Sequence, residues 1–119
     1  MRAAPRALAF AFVSLAAFAF APSARSQELS VQALFTRVDK GHCIACHQLP
    51  AGASPQGRSD LGPALTGARM RELGKPALRS MLDDPLAKFP ESMMPPYGRH
   101  RILEAAEIDR LVEFLHALP

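Results

Sequence analysis

The chain has 119 residues, of which 14 are Lys or Arg and 11 are Asp or Glu, a net charge of +3. Arg2, Arg6 and Arg25 fall within the first 26 positions, so the 93 residues that follow carry eleven charges of each sign and no Lys/Arg cluster. That balance removes the compositional case for a nucleic-acid partner, and the length leaves room for one small domain.

In chain order, Arg2 and Arg6 precede an apolar run from Ala7 to Ala21 and then small residues, the pattern of a secretory signal peptide. Ala24 and Ser26 supply the small residues a cleavage site needs, which sets residues 1–26 apart as a leader and residues 27–119 as the domain. The run is interrupted by Ser14 and is shorter than the roughly 20 residues that span a bilayer, so no membrane attachment is expected after cleavage. Arg2 and Arg6 are not adjacent, so no twin-arginine signal is visible, and the compartment implied is the periplasm or the outside of a bacterial cell.

A first helix is predicted from about Glu28 to Lys40, where Val31, Leu34, Phe35 and Val38 recur at helical spacing and Gly41 follows as a stop. It leads into Cys43-Ile44-Ala45-Cys46-His47, which holds both cysteines of the chain. C-x-x-C-H is the spacing of a covalent haem c. Two thiols three positions apart on a tight turn can each form a thioether, and the next side chain, His47, then presents an imidazole nitrogen to iron.

Other uses of the cysteines fit less well. A thioredoxin-like redox pair belongs in a βαβ pattern that is missing here, and a zinc site would have to recruit His100 or His116 at unhelpful spacing. A disulfide between Cys43 and Cys46 would close too small a loop to stabilise much. A porphyrin, by contrast, supplies apolar volume that a domain of this size lacks.

From Gln48 to Ala68 the composition turns to Gly, Pro, Ala and Ser and predicts a loop; within it a carbonyl at Gly62-Pro63 is placed to accept the second ring N–H of His47. A second helix is predicted from near Pro76 to Leu82 or Asp83, with Leu78, Met81 and Leu82 on one face. Residues 84–101 contain Pro85, Pro90, Pro95 and Pro96 and read as an extended, stiff connection. A last helix from about Glu104 to Leu118 turns Ile108, Leu111, Val112, Leu115 and Leu118 to one face, with Glu104, Glu107, Asp109, Arg110 and Glu113 largely on the other. The fold class is therefore all-α, about three helices and long loops wrapped around one haem.

A six-coordinate haem needs a second axial ligand, and Met70, Met81, Met93, Met94, His42, His100 and His116 are the candidates after the leader. Met81 reads as helix-face core and Met70 as loop packing. His42 is expected to face solvent, and His116 sits at a helix end where a protonated imidazole is favoured anyway. His100 is the competitor for bis-histidine ligation. Met94 is preferred because Pro95 holds it extended, and in an extended segment Met93 and Met94 point to opposite sides. Arg69, Tyr97, Arg99 and Arg101 are within sequence reach of the haem propionates, although a solvated surface place suits any single one of them.

Gly41-His42-Cys43-Ile44-Ala45-Cys46-His47, Leu61-Gly62-Pro63-Ala64-Leu65-Thr66-Gly67 and Ser92-Met93-Met94-Pro95-Pro96-Tyr97-Gly98-Arg99-His100, with Ile102-Leu103 and Glu107-Ile108 after them, resemble the SoxX family. Its members are monohaem cytochrome c subunits of the SoxAX complex in bacterial thiosulfate oxidation. The resemblance covers the chain after the leader, and the Met-Met-Pro-Pro-aromatic-Gly-Arg-His segment is its specific part. It implies a cytochrome c fold, Cys43 and Cys46 as thioether cysteines, and His47 and Met94 as axial ligands. Relatives commonly start the last helix with Thr or Ser, whereas Leu103-Glu104 is a weaker start.

The resemblance further implies a SoxA-like catalytic partner that joins thiosulfate oxidatively to a carrier-protein cysteine, and a soluble cytochrome c as electron acceptor. The chain would be the non-catalytic relay between them. A free-standing periplasmic electron carrier and an enzyme with an open distal haem face are the competing expectations.

Overall fold

The computed structural model describes residues 28–119; the leader expected over residues 1–26 lies outside the described residues. Three helices account for the regular structure, α1 (Val31–Thr36), α2 (Gly67–Asp83) and α3 (Ala105–His116), with short 3₁₀ turns at Cys43–Ala45 and Pro85–Ala87. There is no strand among the described residues. The all-α expectation of about three helices therefore holds, while two of the helices differ in extent from the sequence reading.

The first difference is the length of α1. Ser30 caps it, its Oγ accepting the Ala33 N–H at 3.1 Å, and Leu34 and Phe35 are buried. The helix was expected to reach Lys40 but ends at Thr36, where Arg37 turns extended and its guanidinium forks onto Asp39 at 2.9 and 2.5 Å. Residues two apart do not face each other on a helix, so this pair belongs to the turned backbone. Val38, read as a core position, is 81% exposed as a result.

The second difference is the start of α2. Thr66 caps it, with Oγ1 accepting from the Arg69 N–H at 3.4 Å, so the helix begins nine residues before Pro76, the predicted start. At Gly74 the backbone leaves the helix (φ 76°, ψ 157°), a conformation that glycine alone adopts freely, and Pro76 lies in the first turn of the second half. Met70, assigned to loop packing from the sequence, is thereby a buried residue of the first half, while Leu78 and Leu82 are buried in the second.

Ile108, Leu111, Val112 and Leu115 form the inward face of α3, which packs along both α2 and α1, and Phe114 meets Phe35 edge to face at 5.3 Å. The Glu104 start is stronger than expected, because the Glu107 carboxylate reaches back to accept the Glu104 N–H at 2.9 Å. Glu107 is not on the solvent face: it is 8% exposed and both carboxylate oxygens lie 2.9 Å from Lys40 Nζ. The chain end closes the helix pair, as the Gly67 N–H donates to Pro119 O at 3.0 Å and Arg71 donates to Leu118 O at 2.7 Å. No helix among the described residues is long and apolar enough to cross a membrane.

Candidate haem site

The three helices leave a largely apolar cavity of about 370 Å³, within the range that takes a small prosthetic group. Phe35, Leu78, Leu82, Leu111 and Leu115 line it from the helices. Its chemistry comes from the two connecting segments.

One segment is the C-x-x-C-H turn. His42, in the left-handed region at φ 45°, swings the chain into the 3₁₀ turn, and the Cys46 and His47 N–H groups both close onto Cys43 O, at 3.2 and 2.9 Å. Cys43, Cys46 and His47 thus reach the same cavity, Cys43 buried and Cys46 exposed. Expected to face solvent, His42 is instead half-buried on the cavity wall, since the left-handed backbone turns it inward.

Behind His47, Pro63 O lies 2.8 Å from Nδ1. A carbonyl can only accept, so Nδ1 donates to Pro63 O, which leaves Nε2 as the ring nitrogen available to a metal. Gly62 sits flat against the same ring: a Cβ there would stand 2.5 Å from Cε1 and 2.8 Å from Nδ1. Its N–H donates to Cys46 O at 2.7 Å, tying the loop to the turn it supports.

Burial pushes the Cys43 thiol up to about 11, which keeps it protonated. A redox C-x-x-C needs a shift in the opposite direction. No group of three His, Cys, Asp or Glu side chains able to hold a metal ion occurs among the described residues.

The other segment runs from Ser92 to Tyr97. Met94 is half-buried, packs on the core and lines the cavity, its N–H donating to Ser92 Oγ at 3.2 Å; Met93 is 99% exposed. Met70 and Met81 also lie on the cavity wall, each on α2. His100 is exposed and His116 half-buried, neither on that wall.

Of the four side chains within sequence reach of propionates, Arg69 alone is a charged residue at the cavity. Arg99 is turned to Asp84 at 3.3 Å, Arg101 is exposed elsewhere, and the Tyr97 hydroxyl is spent on Gly41 O at 2.8 Å. The sequence reading missed two features. Gly62 as a close-approach residue was hidden inside the Gly-Pro dipeptide, and Glu107 as a buried partner was signalled only by its place three residues after the helix cap.

A tight C-x-x-C-H turn, an imidazole held from behind and an apolar cavity in front of it fit a haem, and together they define a small all-α protein made to carry one. The cytochrome c family model matches residues 30–119, and the chain belongs to that family. Among curated proteins none matches the chain. As a cytochrome c domain it carries haem c covalently and transfers electrons.

Proposed function

We propose that Cys43 and Cys46 bind the haem through thioethers, that His47 and Met94 are its axial ligands, and that the chain is the SoxX-like electron relay of a periplasmic thiosulfate-oxidising complex. When bound, the haem supplies a one-electron iron couple whose potential a His/Met pair raises. The residues of the chain do the rest. Pro63 O keeps the proton on Nδ1 of His47, Gly62 fixes the plane of the ring, Ser92 Oγ accepts the Met94 N–H, and Pro95 restricts the backbone of Met94 away from the helical region. With both cysteines committed to thioethers, no thiol is left for sulfur transfer, and with both axial positions filled no site is left for substrate. That division of labour puts the oxidative joining of thiosulfate to a carrier-protein cysteine on a SoxA-like partner. This chain would take up electrons from that partner and deliver them to a soluble cytochrome c.

The observation that carries the reading is the Met93-Met94-Pro95-Pro96-Tyr97-Gly98-Arg99-His100 segment, the specific part of the SoxX resemblance, whose Met94, Pro95 and Tyr97 stand at the cavity and whose Met93 is exposed at its mouth. A permanent partner is favoured over a free carrier by the cavity mouth, where Leu61 is 82% exposed, Leu73 42% and Met93 99%. Export through the leader of residues 1–26 belongs to the same reading, and N-terminal sequencing of the purified protein should begin at Gln27.

The test is reconstitution. The chain alone should show no thiosulfate-dependent electron transfer. Mixed with a SoxA-like subunit and the sulfur-carrier protein it should restore it, in a complex that survives gel filtration, as interfaces of about 1,600 Å² or more do. Turnover by the isolated chain, or no complex at micromolar concentrations, overturns the assignment.

A further inference from the structure

Tyr97 is the single tyrosine of the chain and is 7% exposed, and its hydroxyl donates to Gly41 O at 2.8 Å across 56 positions of sequence. Both ends of that bond are rigid. Gly41 lies two residues before Cys43, so close to α1 that a Cβ would stand 2.7 Å from Leu34 O, and the next N–H, that of His42, donates to the same Leu34 O at 3.2 Å. Tyr97 follows Met94 by three residues, with Pro95 and Pro96 between them to remove torsional freedom, and Tyr97 O accepts from the Ile102 and Leu103 N–H groups at 2.9 and 3.1 Å. Burial raises the phenol above its ordinary range, so it stays a donor across the working pH range.

We propose that Tyr97 is a positioning residue for the distal ligand: by holding Gly41 it sets the spacing between the Cys43–His47 turn and the Met94 segment, and so the lifetime of the methionine–iron bond. The inference rests on the reading of Met94 as axial ligand. Without the hydroxyl, the Gly41 carbonyl is left buried and unpaired, and the Met94 segment keeps no other hydrogen bond to the motif turn. The cost then falls on the step in which Met94 swings away, because that step no longer breaks the bond.

The experiment uses the full haem-loaded chain and reads the ferric methionine-to-iron charge-transfer band and the rate at which added imidazole replaces the methionine. Tyr97→Phe should accelerate capture about tenfold and weaken the band. Lys40→Met loosens the same linker without touching the Met94 segment, and should lower the thermal midpoint while leaving the capture rate unchanged. Because Tyr97 is the only tyrosine, growth on 3-fluorotyrosine alters this position alone and strengthens the donor without truncating it, so capture should slow. That arm decides if Tyr97→Phe fails to retain haem. Wild-type capture rates in the fluorinated protein, or acceleration by Lys40→Met equal to that by Tyr97→Phe, overturn the role. A Met94→Ala control separates the two levels: loss of the band with unchanged Tyr97 rates removes only the positioning role, whereas persistence of the band removes the ligand assignment and the positioning role together.

Discussion

The two segments that face each other across the cavity are held in different ways. The His47 side leans on residues 48–66, a loop rich in exposed positions whose backbone is pinned at few points, chiefly the Gly62 N–H to Cys46 O at 2.7 Å and the Leu65 N–H to Gln48 O at 2.9 Å. The Met94 side ends in residues 96–103, where the Gly98 and Arg99 N–H groups bond to Asp83 O, the His100 N–H to Pro96 O, and Tyr97 takes two more on its carbonyl. Pro96, Tyr97 and Leu103 are buried there. Shape secures the imidazole, through a glycine against its face and one carbonyl behind it. Hydrogen bonds and prolines secure the Met94 side chain. The first wall should therefore fail to added volume, and the second to lost bonds.

Adding one methyl group to each wall sharpens the contrast. Gly62→Ala drives a Cβ into the His47 ring, which is itself fixed by Pro63 O and by the turn, so the loop must move and lose the Gly62–Cys46 bond. A loss of about 1–3 kcal/mol of unfolding free energy, read from denaturant titration of the haem-loaded protein, is expected. Gly98→Ala meets the Asp83 carboxylate, the free end of an exposed side chain that can rotate aside, and Ile108 Cδ1 at 3.0 Å. Its cost should stay at about 1 kcal/mol. Equal costs at the two glycines would erase the distinction.

Glu107 tests how the His47 wall is tied to α3, since it holds Lys40 at the start of the motif turn and caps α3 at the same time. Burial by itself would raise its carboxyl, but the bond from Lys40, the Glu104 N–H and the charges of Lys40 and Arg110 outweigh it and hold the group below its usual value. A carboxyl lowered in the folded state contributes stability that is complete above its unfolded value, near 4.5, and is lost as pH falls through the folded one. Glu107→Gln should cost about 1–2 kcal/mol at neutral pH. Below pH 4.5 the gap between wild type and variant should close; a gap that stays constant down to pH 3 contradicts the charge account.

What could be read from the sequence was local. The C-x-x-C-H spacing, the inward face of α3 and the opposed directions of Met93 and Met94 each depend on residues within a turn or two of one another, and the carbonyl behind His47 is only sixteen residues away. What escaped depends on distant partners. Met70 is buried because the chain end packs on the first half of α2, whose Gly67 and Gly74 and Gly/Pro-rich approach hid a helix. Glu107 looks like a surface residue by periodicity, and only Lys40, 67 positions earlier, makes it an interior one. Val38 failed the other way, because the Arg37–Asp39 pair ends a helix that the apolar spacing alone would continue.

The smallest expected effect is also the sharpest check on the direction of the Met94 segment. Met93 and Met94 share composition, loop and neighbours, so any account based on proximity alone would give them similar weight. The structure separates them by exposure: Met93 is 99% exposed, while Met94 packs on the core. An exposed side chain with no packing partner contributes little to folding, so Met93→Ala should shift stability by less than about 0.5 kcal/mol and leave the charge-transfer band and the imidazole capture rate unchanged. Its effect should appear elsewhere. Standing at the cavity mouth beside Leu61 and Leu73, Met93 belongs to the surface that a docked partner would cover, and Met93→Asp should weaken the gel-filtration complex while leaving the isolated haem spectrum intact. A spectrum altered by Met93→Ala would mean that the segment is turned over in the haem-loaded protein, with the two methionines exchanging roles.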